Sequence, residues 1–277
     1  MIADVRLFRH GASVGSRAAP PVWCFVLAGA VPRQRSSALQ RALDRATRLA
    51  PPQRVVVVVS RESASHCDAA LAETPGVATL VQPAYRGSAA ELFLPALLVA
   101  RRDPDAVIVA LRGDEAHDGP VAPCLTRAVN AVATCPDLTL LVGARPRATR
   151  LPDGLVEPGA PLPGLEELSL LAVRRFVYEP PRGLAGRDLL APAALAARAR
   201  ALIALGRRYI PEVLETLEPL EGVADAPEAT LLCEAVYECM PYASLSREFL
   251  ERVPELAVLP VPDALREVTD AVAHLAS

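Results

Sequence analysis

Lysine is absent from the chain: all 29 basic residues are arginine. A site that needs the compact, strongly hydrated point charge of an ammonium group therefore has to be built another way, because a guanidinium is planar and forked. A basic footprint is missing as well. With a formal net charge of −3 and the two signs interspersed, no face is marked for nucleic acid. Long apolar runs are also lacking. The longest, Ala89 to Ala100, contains Glu91 and Pro95 and falls short of the ~18 to 20 residues a membrane span requires, so no membrane partner is expected. The opening residues MIADVRLFRHG lack the charged start, long apolar core and small-residue cleavage site of a signal peptide; the expectation is a cytoplasmic protein. Six cysteines (Cys24, Cys67, Cys124, Cys135, Cys233, Cys239) form no C-x-x-C pair and no zinc-spaced cluster with histidine, which favours reduced, mostly buried thiols. No internal repeat or low-complexity segment interrupts the chain.

What is present is apolar. Residues counted as hydrophobic make up 52% of the 277 positions, enough for a sizeable core in one large domain or two small ones. Pro20-Pro21 marks a boundary between an arm, residues 1–21, and a domain, residues 22–277. After it, short apolar runs alternate with segments of helical period. Strands are expected at Val22 to Ala28, Val55 to Val59, Ala78 to Gln82, Ala106 to Leu111 and Leu138 to Val142. Helices are expected at Ser36 to Leu49, Ser63 to Glu73, Ser88 to Arg102 and Val121 to Ala133. The five consecutive valines at 55–59 are too β-branched for a comfortable helix and suit a strand buried on both faces. This alternation predicts a three-layer α/β domain with a mostly parallel central sheet. Beyond Gly143 the rhythm gives way to Pro/Gly-rich sequence as far as Gly164. A strand at Leu168 to Tyr178 and a helical stretch from Gly183 to about Leu220 follow. Helices at Glu228 to Cys239 and Ser244 to Arg252, a strand at Leu256 to Val261 and a helix at Asp263 to Leu275 complete the reading.

Four stretches carry chemistry. Phe25-Val26-Leu27-Ala28-Gly29 ends a strand and runs into Ala30-Val31-Pro32-Arg33-Gln34-Arg35. Leu80 to Ala90 contains Gln82 at a strand end, then Arg86-Gly87-Ser88 opening a helix. Asp105 to Asp118 puts Asp114 and Glu115 just past a strand. Leu141 to Arg145, Val156-Glu157-Pro158-Gly159 and Arg174 to Pro181 follow. In this order, from about Val22 to Pro262, the segments resemble the sugar-1-phosphate nucleotidyltransferases, above all the mannose-1-phosphate guanylyltransferases.

The resemblance implies a Rossmann-like, three-layer nucleotide-diphospho-sugar transferase fold. It implies a nucleotide site at Leu27, Ala28, Gly29, Arg33, Gln82, Arg86, Gly87 and Ser88, and Asp114 as a magnesium ligand when a nucleotide binds. Gln82, Arg86, Gly87 and Ser88 correspond to the segment under the base. Simpler local roles exist for them: Ser88 as a helix N-cap and Gly87 as a turn residue. Much of the family's machinery is missing. The phosphate loop is shortened and carries Pro32, and proline removes a backbone donor where glycines should cradle phosphate. Both family lysines are gone, and so are its second metal aspartate and its sugar-binding segment. In nucleotidyl transfer these groups supply positioning and charge stabilisation. The expectation is therefore a noncatalytic protein that binds GTP or a GDP-sugar, or acts on an active paralogue or another protein partner. The alternative is an active enzyme making GDP-mannose from GTP and mannose-1-phosphate with a variant loop. Arg9-His10-Gly11 also resembles the short motif of histidine phosphatases but has no later partner in a fitting segment.

Overall fold

The computed structural model describes residues 19–29, 36–113, 121–145, 154–180, 189–221 and 229–262. Four strands, β1 (Val22–Leu27), β2 (Val55–Ser60), β3 (Ala78–Gln82) and β4 (Val107–Arg112), run parallel, with β1 between β2 and β4. The remainder are β5 (Thr139–Ala144), β6 (Gly154–Pro161), β7 (Leu171–Tyr178), β8 (Ala191–Arg198) and β9 (Leu256–Pro260). All nine make one sheet in the order β3-β2-β1-β4-β8-β5-β9-β7-β6. Strand β8 lies antiparallel between β4 and β5, β5 is parallel to β9, and β7 joins the antiparallel β6 to β9.

The helices are α1 (Ser36–Leu49), α2 (Asp68–Ala72), α3 (Ser88–Arg102), α4 (Val121–Thr134), α5 (Ala199–Tyr209), α6 (Pro211–Leu217) and α7 (Ala229–Cys239). Side chains alternate along each strand, and the alternation separates two cores. Phe25, Leu27, Val56 and Val58 pack with α3, α5 and α6, whereas Cys24, Val26, Val55, Val57 and Val59 pack with α1 and α4. The valine run is buried along its whole length. Because both faces are covered, a one-residue slip of β2 would expose nothing, and hydrophobic pattern cannot fix its register. Its ends do so: Pro51 and the 3-10 turn Pro52–Arg54 set the entry, and Ser60 Oγ donates to the Gly29 carbonyl at 2.8 Å at the exit.

Most expected elements are present within a residue or two, and four expectations need correction. Residues 191–198 form a central strand where the sequence predicts helix. Alanine is the strongest helix former, but here small side chains allow α4 and α5 to close over β8, and pairing on both edges outweighs local propensity. Pro192, which lacks an N–H, sits opposite Gly143 where the β5 register shifts. The Pro/Gly-rich stretch contains β6, an edge strand whose pairing with β7 shifts around Pro158 and Pro161, a position that tolerates missing donors. Residues 63–73 hold only a 3-10 turn, Ala64–His66, and the short α2. The predicted helix at 244–252 is a π-helix, Leu245–Leu250. Ser244 Oγ accepts from the Arg247 amide, and Glu248 Oε2 accepts from the Ser244 amide at 2.6 Å. The expected terminal helix, and the arm apart from residues 19–21, lie outside the described residues.

At the edge where β4 begins, Arg198 is 7% exposed. It donates to the carbonyls of Val132 (3.2 Å), Ala133 (2.6 Å) and Asp105. One guanidinium thus closes the carbonyl end of α4 and binds it to the approach of β4. No helix among the described residues is long and apolar enough to cross a membrane.

Candidate functional site

In an open sheet of this kind, ligands bind outside the carboxyl ends of the parallel strands, at the point where neighbouring connections diverge to opposite sides. That point lies between β1, which continues outward to β2 and β3, and β4, which leads to the other half of the sheet. The carboxyl ends of β1, β2, β3 and β4 bring Gly29, Ser60, Gln82 and Arg112 to this edge. The start of α3 stands above them.

The end of β1 is tightly held. The Ala28 amide donates to the Val58 carbonyl at 2.7 Å, the Leu27 carbonyl accepts from the Gly113 amide at 2.8 Å, and the Gly29 carbonyl accepts from Ser60. The Gly29 amide is met by Glu91, a residue of the first turn of α3 whose carboxylate Oε1 accepts its proton. Glu91 is 3% exposed. The space beside Gly29 is filled: a Cβ there would overlap the Glu91 carboxylate and lie 2.8 Å from the Tyr85 ring. Tyr85 in turn meets Tyr242 edge to face, with centroids 6.1 Å apart. Burial first, and then the nearby Glu91 and Tyr242, push the Tyr85 phenol above its ordinary range.

The best-preserved segment of the expected nucleotide site is occupied from within the chain. Gln82 is fully buried, and its Nε2 donates to the Tyr237 hydroxyl at 2.6 Å. Its Oε1 is buried without a hydrogen-bond partner among the described residues. Arg86 donates through Nε to the Tyr237 carbonyl at 2.8 Å and through a terminal nitrogen to the Glu238 carbonyl at 3.4 Å, both at the end of α7. Gly87 adopts φ +91°, and a Cβ there would overlap the Ala243 carbonyl. That carbonyl accepts from the Ala89 amide, and the Ala243 amide donates to the Arg86 carbonyl, each at 3.1 Å. Ser88 does not cap α3: its hydroxyl accepts from the Leu245 amide at 2.9 Å. Residues 82–89 thus fasten the segment 237–245 along the crevice, and an ion pair from Arg61 to Glu234 adds a further tie to α7. Burial pushes the Tyr237 phenol well above its ordinary range, so it remains a neutral partner for the Gln82 amide.

Of the residues read from sequence as the nucleotide site, Leu27, Ala28, Gly29, Gln82, Arg86, Gly87 and Ser88 do converge on this edge. Arg33 and Asp114 lie outside the described residues. Among the described residues no group of three or more His, Cys, Asp or Glu side chains is gathered as a metal site. Among the described residues the carboxylate at Gly29, that of Glu91, is already engaged by the Gly29 amide. The sequence reading missed Glu91, Tyr237 and Ser60. A carboxylate in the otherwise apolar turn Ala89-Ala90-Glu91-Leu92-Phe93 was the signal available for the first. Nothing local distinguishes Tyr237 from an ordinary core tyrosine.

No family model and no curated protein matches the chain. Solved structures do. One from Thermus thermophilus, described as a mannose-1-phosphate geranyltransferase, is similar over 87% of this chain and 74% of its own, with TM-score 0.70 and 19% identity. One from Helicobacter pylori, described as a mannose-6-phosphate isomerase, is similar over 87% of this chain and 98% of its own, with TM-score 0.64 and 12% identity. At these identities the likeness speaks for architecture: the chain is built on the nucleotide-diphospho-sugar transferase fold.

Proposed function

We propose that this chain is a noncatalytic relative of the mannose-1-phosphate guanylyltransferases that acts as a nucleotide-sugar-binding, regulatory or protein-interaction module. The observation that carries this reading is the fate of residues 82–89. Gln82, Arg86 and Ser88 commit their hydrogen-bonding groups to Tyr237, Glu238 and Leu245, and Gly87 admits the Ala243 carbonyl. A segment suited to a nucleotide base serves instead to hold α7 and the following turn. The absence of lysine supports the same reading, since neither family lysine has a replacement of like geometry.

The deciding measurements are calorimetric titration with GTP and with GDP-mannose, each with Mg²⁺, and an assay of pyrophosphate release from GTP and mannose-1-phosphate. The expected result is no pyrophosphate release and no saturable binding of either ligand by the wild type at millimolar concentration, which leaves the regulatory or protein-interaction role. Turnover that disappears in Asp114→Ala would overturn the proposal and leave an active guanylyltransferase with a variant loop.

A further inference from the structure

We propose that the Glu91 carboxylate is a built-in occupant of the crevice, seated on the Gly29 amide so that it excludes anionic ligands from the end of β1. The inference rests on the preceding reading of this edge as a former nucleotide-sugar site, and it assigns one residue the task of keeping phosphate out.

Three observations converge. The two peptide groups flanking the Gly29 Cα are each held, the carbonyl by Ser60 Oγ at 2.8 Å and the amide by Glu91. That amide is the backbone donor at the carboxyl end of β1, the kind of group that receives an anionic ligand at a strand end. Its one proton is taken by a carboxylate, an acceptor of the same sign and similar reach as a phosphate oxygen. The space is also taken, because even a Cβ on residue 29 would collide with the Glu91 carboxylate, and the Tyr85 ring closes the neighbouring side.

A glutamate in the first turn of a helix is ordinarily a surface residue that complements the helix dipole. Glu91 instead points inward from a turn whose neighbours Ala89, Ala90, Leu92 and Phe93 are all fully buried, and it reaches a partner 62 residues away in sequence. Burying a charge is costly unless it is paired. Part of that cost is offset here by the amide of the very residue a ligand would need. A phosphate approaching Gly29 therefore meets both an occupied donor and a like charge.

The test uses the full chain, inorganic tripolyphosphate as the anionic probe, and both calorimetry and thermal shift as readouts. Glu91→Ala removes charge and volume; Glu91→Gln keeps the shape and removes the charge. Glu157→Ala removes a carboxylate that pairs with Arg174 and Arg175 on another strand pair and serves as the control. The expected result is no saturable tripolyphosphate binding by wild type or Glu157→Ala at millimolar probe, at least tenfold tighter binding by Glu91→Ala, and a smaller gain in Glu91→Gln. Two results would overturn the inference: wild type binding as tightly as Glu91→Ala, or folded Glu91→Gln and Glu91→Ala binding no better than wild type. If Glu91→Ala fails to fold, Glu91→Gln alone decides. Repeating the titration with GDP-mannose separates this inference from the reading beneath it. Gain for tripolyphosphate without any preference for the nucleotide sugar would sustain the role of Glu91 and remove the nucleotide-sugar reading.

Discussion

At the edge of the sheet where β4 begins, Arg198 places its guanidinium among three carbonyls, from Asp105, Val132 and Ala133. At the opposite edge, Gln82 is as deeply buried but only half satisfied among the described residues, with Nε2 on Tyr237 and Oε1 unpartnered. The first arrangement spans two elements with one side chain and matches donors to acceptors that a helix end must lose to something. The second joins the end of β3 to α7 through one side-chain amide. An unpaired buried acceptor typically costs on the order of 1–3 kcal/mol. The contrast separates a polar group whose hydrogen bonds are met from one that is met only in part.

Among the substitutions, removing the satisfied group has the largest expected effect. Arg198→Ala leaves three carbonyls without their charged donor and should lower unfolding free energy by about 3 kcal/mol, read from urea denaturation at constant m-value. Arg198→Lys should recover only part of it, because an ammonium cannot span the fork. A change below about 0.5 kcal/mol in Arg198→Ala would erase the contrast between the two edges.

A double-mutant cycle sharpens the comparison at the crevice. Tyr237→Phe leaves the whole Gln82 amide buried and unpaired and should cost about 1 kcal/mol. Gln82→Leu alone should cost less, since it also removes the unpartnered Oε1, and the double variant should be more stable than Tyr237→Phe. Strict additivity in denaturation experiments would mean that the pair is not coupled.

The last effect is one of pH rather than of substitution and concerns the thiols, which sample both faces of the sheet. Burial pushes Cys24 from the ordinary 9.0 up to about 12, Cys67 up to about 11 and Cys233 up to about 11. The folded state therefore holds protons that the unfolded state releases above pH 9. These groups leave stability unchanged below that pH and make it fall as pH rises from about 9 toward 12. Denaturation midpoints measured from about pH 7.5 to about 10.5 should be flat and then decline. A midpoint that rises above pH 9 would contradict the burial of these thiols. In labelling at about pH 8, exposed Cys239 should react first and Cys24 only on unfolding.

The parallel half of the sheet was legible because its strands are buried on both faces and rich in valine and other branched residues, while Pro51, Gly76 and Gly87 punctuate the segments between them. Strand β8 was not, because Ala191 to Arg198 lacks β-branched side chains and its partners, β4 and β5, are distant in sequence. The edge strand β6 was hidden by Pro158 and Pro161, which read as loop unless the missing donors are known to face outward. At the crevice, Gly29, Gln82, Arg86, Gly87 and Ser88 were legible as neighbours because each stands at a strand end or helix start. Their internal partners were not, since the contacts from Gln82 to Tyr237 and from Ser88 to Leu245 span 155 and 157 residues, and no local pattern encodes them.

The antiparallel β8 also orders events during synthesis. Until residues 191–198 emerge from the ribosome, β4 and β5 have been made but the strand that joins them has not. The chain then carries a four-stranded sheet open at β4 and a β5 with neither neighbour, the form of backbone most prone to pair with another molecule. Completion waits longer still on the far side, where β5 takes its second neighbour from residues 256–260. A nascent chain stalled after β5 and before β8 would thus be the species most in need of a chaperone, although every strand of its parallel half is already present.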